Sequence, residues 1–235
     1  MNSILRKAED RGAADFGWLK SAHTFSFGRY FDSRHMGFGV LRVINEDRVA
    51  PGKGFDAHPH KDMEILSFVV DGALEHQDSM GNGSVIRPGE LQRMSAGTGV
   101  VHSEYNASKT DPVHFLQIWI QPRENDLAPG YEQKHFPTAE RQGKFRLIAS
   151  PSGRDGALSL AQDVELFSSI LQGGDEMTYP LRRGRAGWLQ AVRGSLEVNG
   201  DLVTAGDGLA FERDGAISLS TDEDAEILFF DLPAV

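Results

Sequence analysis

Val69-Val70-Asp71-Gly72-Ala73-Leu74-Glu75 and Ala191-Val192-Arg193-Gly194-Ser195-Leu196-Glu197 are one phrase written twice, with their glycines 122 residues apart. In each copy an apolar run meets a charged residue and a glycine and then resumes, which is how a β-hairpin reads. The order downstream matches as well. Pro88-Gly89-Glu90-Leu91 has a counterpart in Ala205-Gly206-Asp207-Gly208, and Trp119-Ile120-Gln121-Pro122 in Phe230-Asp231-Leu232-Pro233. Such repetition marks two copies of one β unit. Outward from the repeats, short apolar runs sit between Gly, Pro, Asn and Asp turns, and long amphipathic periodicity is missing. Strands are expected at Met63 to Val70, Ala73 to Gln77, Val100 to Tyr105, His114 to Ile120, Trp188 to Val192 and Ile227 to Leu232, among others. The chain therefore reads as all-β, with two tandem antiparallel β-barrel (jelly-roll) domains, 1–135 and 136–235. The Pro-, Gly- and charge-rich stretch from Gln121 to Gly143 suits their connection.

Composition removes several classes of function. Twenty-four Lys and Arg against 34 Asp and Glu leave a formal charge of −10, which repels phosphate backbones and anionic membrane surfaces. Direct nucleic-acid binding and membrane association are therefore not expected. The absence of cysteine excludes disulfides, thiolate zinc sites, iron-sulfur clusters and Cys nucleophiles. No run approaches the roughly 18 apolar residues of a membrane-spanning helix. Charged residues crowd the first dozen positions where a leader would need an apolar stretch, so a soluble, cytoplasmic protein is expected.

All eight histidines fall within the first 135 residues. In Phe55-Asp56-Ala57-His58-Pro59-His60 two imidazoles are two residues apart, so in extended backbone they share one face of a sheet. Pro59 keeps His58 out of the α region. His102-Ser103-Glu104 repeats that parity with an imidazole and a carboxylate. If these two strands face each other across a barrel interior, four donors converge on one ion at about 2.0–2.2 Å. Three neutral imidazoles and one carboxylate leave a divalent ion with a charge near +1 and, in octahedral geometry, two open positions. That suits O₂ chemistry or Lewis-acid work on a hydroxyl or carbonyl. Such a ligand set excludes copper(I) and does not choose among iron, nickel, manganese, cobalt and copper(II). Glu64 shares the parity of His60, as a fifth donor or, by preference, as an outer partner of the ligands. The repeat sets Pro180 and Arg182 against His58 and His60, and Leu219 and Thr221 against His102 and Glu104. No metal site can be built from those, so the second domain is expected to be metal-free.

Gly52-x5-His58-x-His60-x3-Glu64, followed by Gly72, resembles the first motif of the cupin superfamily, with one extra residue before the final glycine. Gly97-x-Gly99-x2-His102-x3-Asn106 resembles the second, with Gly97 where that pattern usually has Pro. Glu104, together with Gly17-Trp18-Leu19, His23-Thr24-Phe25-Ser26-Phe27, Gly37-Phe38-Gly39, Leu41-Arg42-Val43-Ile44-Asn45 and His58-Pro59-His60-Lys61-Asp62-Met63-Glu64, resembles the pirin family specifically, over most of residues 5 to 122. The resemblance implies a bicupin with metal in its N-terminal domain alone. It implies His58, His60, His102 and Glu104 as ligands of one divalent transition-metal ion, iron foremost, with nickel, manganese, cobalt, copper or zinc admitted. It leaves Glu64 unbound.

The activity implied is dioxygenolytic cleavage of a flavonol, quercetin, with O₂ and release of carbon monoxide. Glu104 is the nearest base for the flavonol hydroxyl and can serve as ligand and proton acceptor in turn. A flat substrate calls for aromatic walls, for which Trp18, Phe25, Phe27, Tyr30 and Phe38 are candidates, with His23 at the pocket border. The alternative, allowed by the resemblance to eukaryotic pirins, is a non-catalytic regulator whose metal changes oxidation state and so alters a protein-binding surface.

Overall fold

Glycines in left-handed backbone cut this chain into short strands. Gly72 and its repeat counterpart Gly194 have φ of +82° and +68°. A Cβ at these positions would stand 2.8 Å from the Pro112 carbonyl oxygen and 2.0 Å from that of Asp224. Only glycine suits either place, which is why the phrase recurs. The computed structural model describes residues 3–234. They form two units, one of residues 12–135 with 160–162, the other of residues 3–11, 136–159 and 163–234.

The chain begins with β1 (Ser3–Arg6), which belongs to the second unit. The first unit contains β2 (Gly12–Asp15), β3 (Leu19–His23), β4 (Leu41–Val49), β5 (Gly54–His60), β6 (Glu64–Asp71), β7 (Leu74–Asp78), β8 (Gly83–Ile86), β9 (Glu90–Ser95), β10 (Val100–Asn106), β11 (Val113–Ile120) and β12 (Gly130–His135). A seven-stranded sheet runs β12-β9-β6-β11-β4-β3-β2 and a four-stranded sheet runs β5-β10-β7-β8. The sheets remain separate ladders, so the unit is the jelly roll expected from sequence, built of two sheets without a closed barrel.

Apolar side chains close both ends of this unit, with Leu19, Val49, Val69, Leu74, Ile86, Val113 and Phe115 in one cluster. Ile65, Met94 and Val100 form the other. Full burial contributes about 1.5–3 kcal/mol for each large side chain. Between the clusters, a row of ladder partners crosses the large sheet as Gln92, Ser67, Gln117, Asn45 and His23. All five are buried. Buried polar groups cost stability unless they find partners, so such a row marks a place the fold has set aside for something other than packing.

The second unit contains β13 (Arg146–Ser150), β14 (Leu158–Ser159), β15 (Glu165–Leu171), β16 (Glu176–Leu181), β17 (Arg185–Arg193), β18 (Ser195–Val198), β19 (Asp201–Thr204), β20 (Gly208–Phe211), β21 (Gly215–Ser220) and β22 (Ala225–Pro233). Its sheets run β1-β20-β17-β22-β15-β13-β14 and β16-β21-β18-β19. β1 pairs with β20 from Ser3↔Phe211 to Arg6↔Gly208. The Asp207 carboxylate then accepts the Ala8 N–H at 2.7 Å. These bonds carry residues 3–11 away from the 1–135 division drawn from sequence. In return, Ala161 ties residues 160–162 to the first unit, its carbonyl accepting the Arg123 N–H at 2.7 Å.

Ladder register also revises which residues replace the histidines. Val198, the repeat counterpart of His76, pairs with Leu219, as His76 pairs with Glu104. Ile217 therefore stands where His102 does, and its partner Tyr179 where His58 does. Pro180, Arg182 and Thr221 are displaced by one or two positions from the places the repeat offset assigned them. Tyr179, Val198, Ile217 and Leu219 all belong to a continuous apolar core.

Candidate metal centre

β5 and β10 do not face each other across the interior, as expected from sequence, but lie side by side, with His58 opposite His102 and His60 opposite Val100. Between His102 and Glu104 the pairing skips a residue on β5, so that Phe55 meets Glu104. This bulge turns Phe55 and His58 to the same face despite their odd spacing. On the other flank of β10, His76 and Asp78 of β7 pair with Glu104 and His102. Two ligand-type clusters result, each with donor atoms within 4.8 Å of one another. They are His58, His60 and His102, and His76, His102 and Glu104. His102 belongs to both.

Hydrogen bonds fix where lone pairs lie. His58 Nδ1 is 2.7 Å from the Asp56 carbonyl oxygen, so that nitrogen carries a proton and, in the neutral ring, the lone pair lies on Nε2. His58 Nε2 lies 3.1 Å from His102 Nε2. Two ligands at about 2.1 Å from one ion and at right angles to each other are about 3.0 Å apart. Burial, then the charge of His58, lowers His60 to about 4. Burial, with His58, His60 and His76 nearby, lowers His102 to about 3. Both are neutral imidazoles at neutral pH, the form that binds a metal. The cluster fits a divalent ion.

Glu104 is wholly buried, and burial pushes its carboxyl up to about 7, against the Ser67 hydrogen bond and with added repulsion from Asp47. Ser67 Oγ is 3.0 Å from Glu104 Oε1 and 2.9 Å from Gln117 Oε1, while Gln117 Nε2 donates to Glu104 Oε2 at 2.7 Å. Ser67 has one proton and cannot serve both acceptors. When Glu104 carries a proton the ring closes: Glu104 donates to Ser67, Ser67 to Gln117 and Gln117 back to Glu104. Both partners come from the polar row of the facing sheet.

Over β2, β3 and β4 lies a cavity of about 620 Å³, walled by Phe16, Leu19, Phe27, Tyr30 and Phe55. Ser21, His23, Asn45 and Asp47 also line it. Asn45 Oδ1 and Asp47 Oδ1 are buried and accept no hydrogen bond. Burial pushes Asp47 up to about 7. Phe27 packs on His23 at 5.3 Å and on Trp119 at 5.3 Å, and Trp119 packs on His60 at 5.0 Å.

His23 lines the cavity. Phe25 and Phe38 do not line it; both are buried in packing, and Phe38 is tied to Leu41 by paired backbone bonds of 2.8 and 3.0 Å. Trp18 packs on Phe55 at 5.4 Å. Glu64 is buried outside both ligand clusters, and its Oε2 accepts the Ala161 N–H at 3.2 Å. Sequence reasoning did not single out His76, Asp78, Ser67, Gln117 or Asp47. The His76-Gln77-Asp78 spacing has the same parity as the two pairs it did single out.

Two jelly-roll units, one carrying a histidine cluster between its sheets and the other an apolar core, define a two-domain cupin. The chain belongs to the pirin family. The Pirin family model matches residues 5–120, and the model described as the quercetinase C-terminal cupin domain matches residues 147–232. Over 231 residues the chain is 50% identical to the quercetin 2,3-dioxygenase of Escherichia coli (strain K12), covering 98% of this chain and 99% of that one. It is 42% identical to a pirin-like protein of Caulobacter vibrioides, covering 97% and 99%. The crystal structure of bacterial pirin YhhW from Escherichia coli in complex with nickel(II) superposes with a TM-score of 0.94 at 48% identity, with 100% of each chain covered.

Proposed function

We propose that this protein is a metal-dependent dioxygenase of the cytoplasm that cleaves a flavonol such as quercetin with O₂ and releases carbon monoxide. The ion is held by His58, His60, His102 and Glu104. The observation that carries this reading is the convergence of three imidazoles beside a buried carboxylate, joined through the Trp119 ring contacts with His60 and Phe27 to an aromatic-walled cavity of a size that suits a small ligand. The relatives named as quercetin 2,3-dioxygenases and the nickel(II) complex of the YhhW pirin support it. A bound divalent transition-metal ion supplies Lewis acidity toward a hydroxyl and chemistry with O₂.

The residues do the rest. Phe16, Phe27, Tyr30 and Phe55 hold a flat ring system and exclude water from it. The unpartnered oxygens of Asn45 and Asp47 accept hydrogen bonds from phenolic hydroxyls, which a deoxygenated analogue would leave unsatisfied. Glu104 takes the proton of the flavonol 3-hydroxyl, and Ser67 and Gln117 keep its carboxyl in place while it does so. Both ring bonds to the carbon that bears this hydroxyl then break as the two atoms of O₂ add, one to each of its ring neighbours, which become the ester and carboxylate carbons of the product, and the carbon between them leaves with its own oxygen as carbon monoxide.

The test supplies purified protein, loaded in turn with iron, nickel, manganese and cobalt, with quercetin under O₂. Metal-dependent loss of flavonol absorbance with carbon monoxide release is expected. His58→Ala and His102→Ala should lose metal and turnover together, whereas Pro180→Ala in the second unit keeps both. Full metal occupancy without turnover of any flavonol overturns the enzymatic reading in favour of a metal-bound regulator.

A further inference from the structure

We propose that His76 and Asp78 form a positioning relay that sets the tautomer of His102 and so aims its Nε2 lone pair at the ion; this rests on the metal site proposed above. Asp78 Oδ1 accepts the backbone N–H groups of Met80 at 2.9 Å and Asn82 at 3.1 Å, and the Asn82 side-chain amide lies 3.1 and 2.9 Å from its two oxygens. A carboxylate so surrounded by donors has only acceptor capacity left. His76 Nε2, 3.1 Å from Asp78 Oδ2, therefore carries a proton and donates it to that oxygen. In the neutral ring His76 Nδ1 is then an acceptor. Its neighbour at 3.5 Å is His102 Nδ1, which must be the donor of that pair.

The consequence reaches the ion. With the proton of His102 held on Nδ1, its Nε2 is a bare lone pair, 3.1 Å from the equally bare Nε2 of His58. Two facing lone pairs repel until a cation lies between them. His58 obtains its tautomer from a backbone carbonyl, which cannot change. His102 obtains its tautomer from a side-chain relay ending in a charged carboxylate, which also raises the basicity of the ligand nitrogen. The relay is rigid: His76 is fully buried and stacks on Tyr131 at 5.0 Å and 29°, and the Tyr131 hydroxyl donates to Gln133 at 2.8 Å.

Long-range ¹H–¹⁵N NMR of the metal-free full chain reads the tautomers directly, before any metal is added. His102 should be the Nδ1–H form in the parent protein. In Asp78→Asn the charged acceptor is lost and His102 should shift toward Nε2–H; in His76→Phe its partner is gone and a mixture should appear. Nickel(II) affinity, measured by competition with a chelator, should fall roughly 10- to 100-fold in both variants, with circular dichroism and thermal midpoint reporting an intact fold. An unchanged His102 tautomer in both variants, with affinity within about twofold of the parent, overturns the relay. X-ray absorption of the nickel-loaded parent showing an imidazole that His76→Phe removes also overturns it, since His76 would then be a ligand. If the parent binds no nickel(II) while the tautomer shifts occur, the relay holds and the metal reading fails.

Discussion

Metal uptake by this protein is expected to release a proton from Glu104, and the effect can be sized. Burial holds that carboxyl up near about 7, so below neutrality the metal-free protein keeps Glu104 protonated within its ring with Ser67 and Gln117. A ligand carboxylate must give that proton up. The apparent dissociation constant for nickel(II) should therefore fall about tenfold per pH unit below about pH 7 and gain nothing more from Glu104 above it. From about pH 5.5 to the plateau above about pH 8 the gain is about 30-fold, or about 2 kcal/mol. His60 and His102, lowered to about 4 and about 3, are neutral across that window and add no slope. Glu104→Gln has no proton to lose, so the slope that this carboxyl contributes is absent from it. Chelator competition from about pH 5.5 to 8.5 at fixed ionic strength gives both curves, and their slopes should differ by one proton below pH 7 and by none above it. The sign for stability follows from the same raised value. The protonated carboxyl stabilises the metal-free fold below its unfolded value near 4.5, and that contribution is lost as pH rises through about 7. Equal slopes in the two proteins would refute the assignment of Glu104 as a ligand.

Stripping the metal with a chelator should lower the thermal midpoint; an ion present at 100 times its dissociation constant contributes about 2.7 kcal/mol, or roughly 5–10 °C for a chain of this size, and scanning calorimetry checks it. Gly97→Ala should cost about 3 kcal/mol by chemical denaturation, because Gly97 has φ of +45° and a Cβ there would stand 2.0 Å from the Leu127 carbonyl oxygen. Asn106→Leu should also destabilise, by about 2–4 kcal/mol in the same assay, since its buried amide donates to the carbonyls of Val49 at 3.0 Å and Asp111 at 2.9 Å and its oxygen accepts the Ser108 N–H at 2.9 Å.

What could be read from the chain beforehand was whatever depends on residue parity and repetition. His58, His60, His102 and Glu104 share faces because strand side chains alternate, and the duplicated hairpin phrase marks two units because one glycine geometry serves both turns. What could not be read was ladder register, which depends on loop lengths and bulges with no local signature. It set β5 beside β10, turned Phe55 inward, and brought His76 and Asp78 against β10. Glu64 illustrates a second limit: its parity points at the ion, but a backbone N–H from Ala161, 97 residues on, takes its oxygen. Gly97 illustrates a third. It stands where the motif usually has Pro, and at φ of +45° proline is impossible and glycine is what the turn requires.

That no metal-ligand cluster lies among the described residues of the second unit has a physical explanation beyond missing histidines. At the ladder positions of His58, His76, His102 and Glu104 it carries Tyr179, Val198, Ile217 and Leu219, and these fill its interior as one apolar core. The three aliphatic residues need no hydrogen-bonded ring, no relay and no ion, and the Tyr179 hydroxyl is satisfied by Asp231 at 2.6 Å. In the first unit the same positions hold groups that cost stability when unpaired, and the Ser67–Gln117 and His76–Asp78 partners exist to satisfy them. One fold, used twice, thus divides its work: one copy spends its interior on chemistry, and the other fills it with apolar packing.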